Sequence, residues 1–503
     1  MEKNEIEIGK QHIVLIVLCM FSGIVFNILF YDKSLGISYI IFVGFIYVIL
    51  FTNFKRNIFF KSKSTWILFI IILLLSSTYF LFSNPVFSTL NFIAIPFLIS
   101  GNIILFTEDN KNSWYQKGFL NELFSKTFKY LFINVDKAFT LLPKTIKLDK
   151  DSSWITLIKK IVVGLIIVAP FLLIILILLA SADMVFEHYI SEIPLIINIK
   201  FLKTLFYQIV IAILVYLYLF SYFYRYLNPS KKTDSDNTIV EKNMDETLNK
   251  EKKPFDAVVC ITFLSCINLI YSSFSMIQLS YLFGSINSIL PQGVTYAEYA
   301  RKGFFELVAV TLINLSILLI INNGVKKEGK LYMAIKVLNS LLVAFTFIML
   351  LSAHFRMSLY ENTFGLTYLR ILTHSFMVYI LFLLIVALYK IWNDKIRILK
   401  AYIVISIISY LIVNFMNIDV IIAKNNIARY KETQKIDFYY LTLLSYDAVP
   451  YIAELSNVDD KDLSKKADIY LKELYHKLPE REKWQSFNIS KLKAKRTINS
   501  YLD

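Results

Sequence analysis

Apolar segments about as long as the hydrocarbon core of a bilayer recur along most of the chain. A membrane-spanning helix needs about 20 apolar residues, and about eleven segments of the sequence meet or approach that length. With 56% hydrophobic and 18% charged residues, the composition excludes an ordinary soluble domain. We therefore predict an all-α, polytopic transmembrane helix bundle with spans at 13–31, 35–51, 65–82, 86–106, 161–180, 204–223, 257–283, 304–321, 337–353, 371–389 and 401–423.

The distribution of Lys and Arg predicts which side of the membrane each loop faces. With the N-terminus inside, the inner loops hold 31 of the 53 Lys and Arg, and the outer loops hold seven. Cytoplasmic loops of membrane proteins are enriched in these residues, so this bias favours a cell-membrane protein with a cytoplasmic N-terminus and an extracytoplasmic C-terminus. The net charge of +15 is then explained by contact with anionic membrane lipids, and no nucleic-acid partner is expected.

Changes in composition divide the predicted bundle into two halves and a tail. Residues 1–223 form a six-helix half, and residues 257–423 form a five-helix half. The charged segment 224–256 reads as a disordered cytoplasmic linker. Residues 424–503 form an extracytoplasmic helical tail. Within the first half, the apolar periodicity of 115–142 predicts an amphipathic helix that lies either on the cytoplasmic leaflet or against the bundle itself.

The tail carries helix signals of its own. Asp437 and Asp447 each precede a short apolar run, which predicts two helix N-caps. A twelfth span over 438–456 is rejected because Asp447 and Pro450 interrupt it. A further helix before Pro479 is predicted from an apolar stripe at Leu463, Ala467, Tyr470, Leu471, Leu474 and Leu478.

Polar side chains interrupt the predicted outer ends of several spans. Asp183 shares a helix face with Glu187, and a carboxylate there suits a cation or a proton, or simply the polar end of a helix. Arg301 follows a Thr-x-x-Glu capping pattern at Thr295 and Glu298. A guanidinium at this depth suits a phosphate or a carboxylate.

Two later spans repeat this pattern. Arg356 and Tyr360 lie one turn apart if the helix persists beyond residue 353, and Gly365 predicts the following turn. Snorkelling to lipid headgroups explains Arg356 and Arg370 equally well, and His354 is a possible proton carrier by residue type. In the last span Asn414, Asn417 and Asn425 predict one stripe of a continuous helix, accompanied by Asp419 and Arg429. Such amides commonly join helices to one another.

These elements together resemble a family of bacterial polytopic membrane proteins that carries only a domain-of-unknown-function label. The resemblance covers about residues 160–450 and implies a membrane location without any assigned reaction. It is carried by Ser181-Ala182-Asp183, Ala297-Glu298-Tyr299-Ala300-Arg301, Gly303-Phe304-Phe305-Glu306, Gly365-Leu366-Thr367 with Arg370, Arg429-Tyr430, Asp437, Tyr440-Leu441 and Asp447-Ala448-Val449-Pro450.

The sequence supports three hypotheses about function. The first is an extracytoplasmic polar pocket that binds or transports an envelope-related ligand. The second is an enzyme acting on a lipid-linked substrate, with Asp183 or Asp419 as base. The third is a scaffold that docks a protein partner at the outer face. Nucleotide-binding, zinc-protease and nucleophile-elbow motifs are missing, so no cofactor or metal is expected. The residues predicted for the pocket are Asp183, Arg301, Arg356, Tyr360, Asn414, Asn417, Asp419 and Arg429.

Overall fold

The computed structural model describes a helical protein that consists of two compact units. Unit 1 comprises Met1–Leu81, Ser88–Lys232 and Glu480–Ile489, and unit 2 comprises Phe82–Phe87, Thr233–Pro479 and Ser490–Asp503. The residues described are 10–54, 62–107, 113–125, 127, 134, 137–138, 141, 175, 179, 199–227, 255–283, 304–326, 328–478 and 482–502.

Within these residues the regular structure is helical, and one isolated β-bridge joins Phe255 and Val325. Short 3-10 turns lie at Tyr446–Ala448, Ala453–Asn457 and Trp484–Ser486. In chain order the α-helices are α1 (Lys10–Phe30), α2 (Ile37–Asn53), α3 (Lys63–Leu81), α4 (Pro85–Thr107), α5 (Lys117–Phe124), α6 (Ile199–Leu227), α7 (Ala257–Phe283), α8 (Phe304–Gly324), α9 (Gly329–Phe364), α10 (Tyr368–Trp392), α11 (Ile398–Phe415), α12 (Ile418–Thr433), α13 (Phe438–Thr442), α14 (Val449–Ile452), α15 (Lys461–Lys477) and α16 (Ile489–Leu502).

The described part of the chain holds eight helices long and apolar enough to cross a membrane, namely α1, α3, α4, α6, α7, α9, α10 and α11. Two shorter apolar helices lie in α2 and α8. Many apolar side chains on these helices are exposed, such as Val17 and Phe21 on α1 and Leu269 on α7. Apolar helix faces of this extent belong against lipid, so the chain is an integral membrane protein.

Each predicted span except 161–180 overlaps a described helix. The segment 161–180 lies outside the described residues apart from two helical positions, 175 and 179. The count of eleven spans therefore stays a prediction. The linker core 228–254 also lies outside the described residues, and the two-sided topology stays a prediction.

The last predicted span is not one continuous helix, and that prediction was wrong. Helix α11 ends at Phe415, Asn417 adopts the left-handed conformation with φ 46° and ψ 65°, and α12 begins at Ile418. Asn tolerates this conformation better than most residues other than Gly. The break turns Asn417 away from the helical register in which it would share a stripe with Asn414 and Asn425.

Helix α9 is far longer than the span predicted within it. Its 36 residues correspond to about 54 Å at 1.5 Å per residue, against about 30 Å for a hydrocarbon core. The helix persists through Arg356 and Tyr360, so the two residues lie one turn apart. It ends at Gly365, whose φ of +79° confirms the predicted turn.

In unit 1 a close approach of α1 and α6 depends on a glycine. A Cβ on Gly23 would lie 2.5 Å from the backbone oxygen of Ala212, so a larger residue would separate the helices. One turn away, the side-chain amide of Asn27 donates to the carbonyl of Gln208 at 2.7 Å. A small residue and a half-buried amide thus hold this helix pair together.

Helix α5 covers part of the region predicted to be amphipathic. Phe119 and Leu123 are buried and pack in one cluster with Ile104 of α4, whereas Leu120 and Phe124 are exposed. This short helix therefore buries one face against the rest of unit 1. Most of the remaining residues of 115–142 lie outside the described part.

In unit 2 the helices and turns that follow α12 pack on it, in a core that contains Ile422, Leu441 and Ile452. Asp437 is an N-cap as predicted, because its carboxylate accepts the N–H of Tyr440 at 3.0 Å. The predicted stripe of α15 is buried at Leu463, Ala467, Leu471 and Leu474. Only short helices and turns occupy 438–456, consistent with rejecting a span there.

Candidate functional sites

Unit 1 contains a largely apolar cavity of about 680 Å³ between α1, α2, α4 and α6. Its volume falls within the range of about 300–1,000 Å³ found for ligand pockets. Phe92 and Leu214 on its lining are 62% and 60% exposed, so apolar surface continues from the cavity to the outside of the unit. The side chains that line it include Phe26, Phe30, Tyr39, Phe42, Ile46, Pro96, Ile99, Ser100, Leu217, Tyr218 and Tyr222.

Aromatic packing gives this cavity its walls. Phe42 meets Phe26 and Phe30 edge to face, with ring centroids 5.3 Å and 5.5 Å apart. On α6, Tyr218 stacks on Tyr222, whose hydroxyl donates to the carbonyl of Ser100. Edge-to-face and offset pairs are favourable arrangements of aromatic rings, so the walls are preformed.

A single charged side chain, Lys33, is among the described residues that line the cavity. It follows Asp32, which has a φ of +53°, and its ammonium donates to the carbonyl of Ile28 near the end of α1. Lys483 pairs with Asp32 at 3.2 Å. Burial lowers the pKa of Lys33, the charge of Lys483 lowers it further, and Asp32 acts in the opposite direction. An anionic group at this end of the cavity would relieve the repulsion between the two lysines.

The residues predicted for the polar pocket can be placed only in part. Asp183 and Arg301 lie outside the described residues. Arg356 donates to the side-chain oxygen of Gln278 on α7 at 2.6 Å. The guanidinium of Arg370 lies over the ring of Tyr360, with its Cζ 4.0 Å from the ring centroid. The amide of Asn414, which is buried, donates within α11 to the carbonyl of Tyr410.

Arg429 and Arg370 bind the C-terminal end of α9. The guanidinium of Arg429 donates to the carbonyls of Asn362, at 3.3 Å, and Thr363. Arg370 donates to the carbonyl of Gly365. The last carbonyls of a helix lack partners within it and carry its negative dipole end, which is where arginines are stabilising. These guanidinium contacts therefore stabilise a helix end.

Two of the predicted residues, Asn417 and Asp419, meet in a buried cluster centred on Asp447. The Asp447 carboxylate accepts the N–H and hydroxyl of Ser83 at 2.7 Å and 2.8 Å, and the amide of Asn417 at 3.1 Å. The hydroxyls of Ser445, at 3.1 Å, and Ser490 also donate to it. Asp447 lies within a 3-10 turn and does not cap it, so its predicted N-cap role was wrong.

Asp419 forms the second half of this cluster. It is 2% exposed, and it accepts the amide of Asn84 at 2.5 Å and the backbone N–H of Ser445 at 3.2 Å. Among the described residues no Lys, Arg or His pairs with either carboxylate. Buried carboxylates are tolerated when hydrogen bonds surround them. The Asp419–Asp447 cluster thus ties together chain segments that are distant in sequence.

A second polar cluster links α9 to α10. His354 and His374 face each other with their Nδ1 atoms 2.8 Å apart. The Nε2 of His374 lies 3.0 Å from a carboxylate oxygen of Glu361. The sequence analysis considered His354 as a possible proton carrier. It did not predict that His374 and Glu361 lie close to it, because they are seven or more residues away in the chain. No group of three or more His, Cys, Asp or Glu in the described residues could hold a metal ion.

Sequence reasoning also missed a polar face between α7, α8 and α9. The Tyr271 hydroxyl donates to Asn314 at 2.9 Å, and Asn314 donates to Thr346 at 2.8 Å. Further along, Gln278 accepts from both Ser352 and Arg356. The signal was present on α7, where polar residues recur at spacings of three, four and three at Asn268, Tyr271, Ser275 and Gln278.

Comparison with protein-family models gives one match, to the domain of unknown function (DUF4153), over residues 69–455. The chain belongs to the DUF4153 family. The match covers more than half of the sequence, and it confirms the resemblance to a family without an assigned reaction. Searches of curated proteins and of solved structures found no match to the chain.

Within this DUF4153 chain, the Gly365-Leu366-Thr367 element that carried part of the resemblance is bound by residues later in the chain. Asn426 binds both the N–H and the carbonyl of Leu366, at 2.7 Å and 2.9 Å. The hydroxyl of Tyr440 accepts the N–H of Tyr368 at 2.8 Å. The Gly365-Leu366-Thr367 turn is thus held from α12 and from α13.

Proposed function

We propose that the protein binds an anionic phospholipid of the surrounding membrane, with its acyl chains in the unit 1 cavity and its headgroup beside Lys33. The observation that supports this proposal is the cavity of about 680 Å³ with apolar walls and a single charged lining residue among those described. Such a ligand is an envelope-related amphiphile of the kind that the sequence suggested. Under the predicted topology its headgroup would lie on the extracytoplasmic side.

The charges around the cavity favour an anionic headgroup over a neutral one. The charge of Lys483 lowers the pKa of Lys33, and the single carboxylate of Asp32, which pairs with Lys483 at 3.2 Å, compensates only part of the charge of the two lysines. A phosphate accepts hydrogen bonds from ammonium groups and neutralises them. No described contact favours an enzyme or a scaffold over this proposal.

The test is a lipid titration of the full-length protein in detergent, followed by native mass spectrometry. Phosphatidylglycerol, which is anionic, and phosphatidylcholine, which is zwitterionic, are the two probes. We expect phosphatidylglycerol to bind about tenfold more tightly, equivalent to about 1.4 kcal/mol. Lys33→Glu should abolish that preference, because it reverses the charge beside the headgroup.

The matched control is Lys477→Glu, which reverses an exposed lysine on α15 that does not line the cavity. This variant should keep the preference. Equal binding of the two lipids by the unaltered protein would overturn the proposed headgroup site. An equal effect of the two lysine variants would also overturn it.

A further inference from the structure

Three titratable side chains form a linear chain of contacts where α9 passes α10. Glu361 lies seven residues after His354, so the two share one face of α9. His374 of α10 lies between them, with Nδ1 2.8 Å from His354 and Nε2 3.0 Å from Glu361. His354 is exposed, whereas the His374 and Glu361 side chains are only 18% and 15% exposed. The chain therefore leads from an exposed imidazole to a largely buried contact between an imidazole and a carboxylate.

The contact between the two Nδ1 atoms limits the number of protons that they can hold. At 2.8 Å one nitrogen must donate and the other must accept, so a single hydrogen lies between them. If both rings were cations, two N–H groups would face each other and the contact would break. We propose that His354, His374 and Glu361 form a proton relay that takes up one proton from water.

The relay can be written so that its protons balance. Before uptake both imidazoles are neutral, His354 donates from Nδ1 to His374, and the Nε2–H of His374 lies beside the Glu361 carboxylate. A proton from water then binds Nε2 of His354, and the hydrogen between the rings passes to Nδ1 of His374. The positive charge ends on His374 beside the Glu361 carboxylate. No other bond is made or broken.

The surroundings favour this end state. Charge is costly at a largely buried site, and uptake converts an isolated carboxylate into a neutral ion pair. The titratable side chains that face His354 are His374 and Glu361. The arginines of these two helices bind elsewhere, since Arg356 donates to Gln278 on α7 and Arg370 lies over Tyr360.

The relay can be tested by solid-state NMR of the full-length protein in lipid with ¹⁵N-labelled histidine. The chain has five histidines, and the variants His354→Gln and His374→Gln assign the two signals. We expect a nitrogen–nitrogen coupling through the shared hydrogen bond and a common midpoint for the first proton uptake by both rings. Glu361→Gln should lower that midpoint by about one pH unit or more, because the carboxylate no longer stabilises the cation.

Two comparisons separate a relay from a merely structural contact. Glu432→Gln, which alters an exposed carboxylate on α12, should leave the titration unchanged. His476, which is exposed on α15, should titrate independently of the pair in every variant. Separate midpoints for His354 and His374 without nitrogen–nitrogen coupling would overturn the proposal. An unchanged midpoint in Glu361→Gln, with the protein folded, would overturn it as well.

Discussion

The side-chain amide of Asn417 donates to the carboxylate of Asp447 across 3.1 Å, although 30 residues separate them. Asn417 can do this because it lies in the left-handed break between α11 and α12. A continuous helix would have placed its side chain on the stripe that it shares with Asn414 and Asn425. The break therefore positions both Asn417 and Asp419 in the Asp419–Asp447 cluster.

Asn417→Ala should destabilise the protein more than Asn417→Gly. Both variants lose the hydrogen bond to Asp447, but only alanine also carries the strain of a positive φ. That strain is worth about 1–2 kcal/mol. Thermal unfolding in detergent measures the difference, and glycine should retain the higher melting temperature. Equal or reversed stabilities would contradict the structural role of the break.

Asp447→Asn should lower the stability by about 2–4 kcal/mol, since it removes a buried charge that five donors surround. The new amide would also point N–H groups at some of those donors. Asp462→Asn is the control, because Asp462 pairs with Lys466 at the exposed surface of α15. It should change the melting temperature little. Similar losses in the two variants would argue against a central role for the cluster.

Gly365→Ala should destabilise the end of α9. The residue has a φ of +79°, and a Cβ would lie 2.6 Å from Oδ1 of Asn426, which binds Leu366. Gly44→Ala is the matched control in the middle of α2, where a Cβ meets nothing within 4 Å. Alanine there should be neutral or stabilising by up to about 1 kcal/mol, because it is the better helix former. An unchanged stability in Gly365→Ala would show that the positive φ at this turn does not matter for folding.

Alkaline phosphatase fusions test the predicted topology. Fusions after residues 285, 365 and 455 should be active, and those after 60, 145, 240 and 328 should be inactive, because the second group lies in loops rich in Lys and Arg. Phosphatase activity on whole cells is the readout. An inactive fusion at 455 beside an active one at 365 would place the tail inside.

Features that depend on local sequence were predictable. Apolar length gave the positions of α1, α7 and α10, the Gly365 turn was expected from its residue type, and the stripe of α15 appeared with the correct register. Each of these depends on residues within a few turns of one another. A sequence read by itself is informative at that range.

Features that depend on distant partners were not predictable. From the sequence Asp447 resembles an N-cap, because no neighbouring residue indicates that its carboxylate accepts hydrogen bonds from Ser83 and Ser490. Arg429 looks like an anion ligand because the end of α9, whose carbonyls it binds, lies more than 60 residues earlier. The unit 1 cavity is formed by residues that read individually as ordinary apolar positions. The roles of Asp447 and Arg429 and the shape of the cavity all depend on tertiary packing.

The proposed lipid site is tested most directly by measuring the phospholipid that remains bound after purification. Leu217→Trp places a large ring in the cavity, whereas Ile213→Trp alters an exposed position of α6 that does not line it. We predict that phosphatidylglycerol co-purifies with the unaltered protein and with Ile213→Trp in equal amounts, and is reduced severalfold in folded Leu217→Trp. Equal phosphatidylglycerol in all three proteins would contradict the proposal that the cavity holds this lipid.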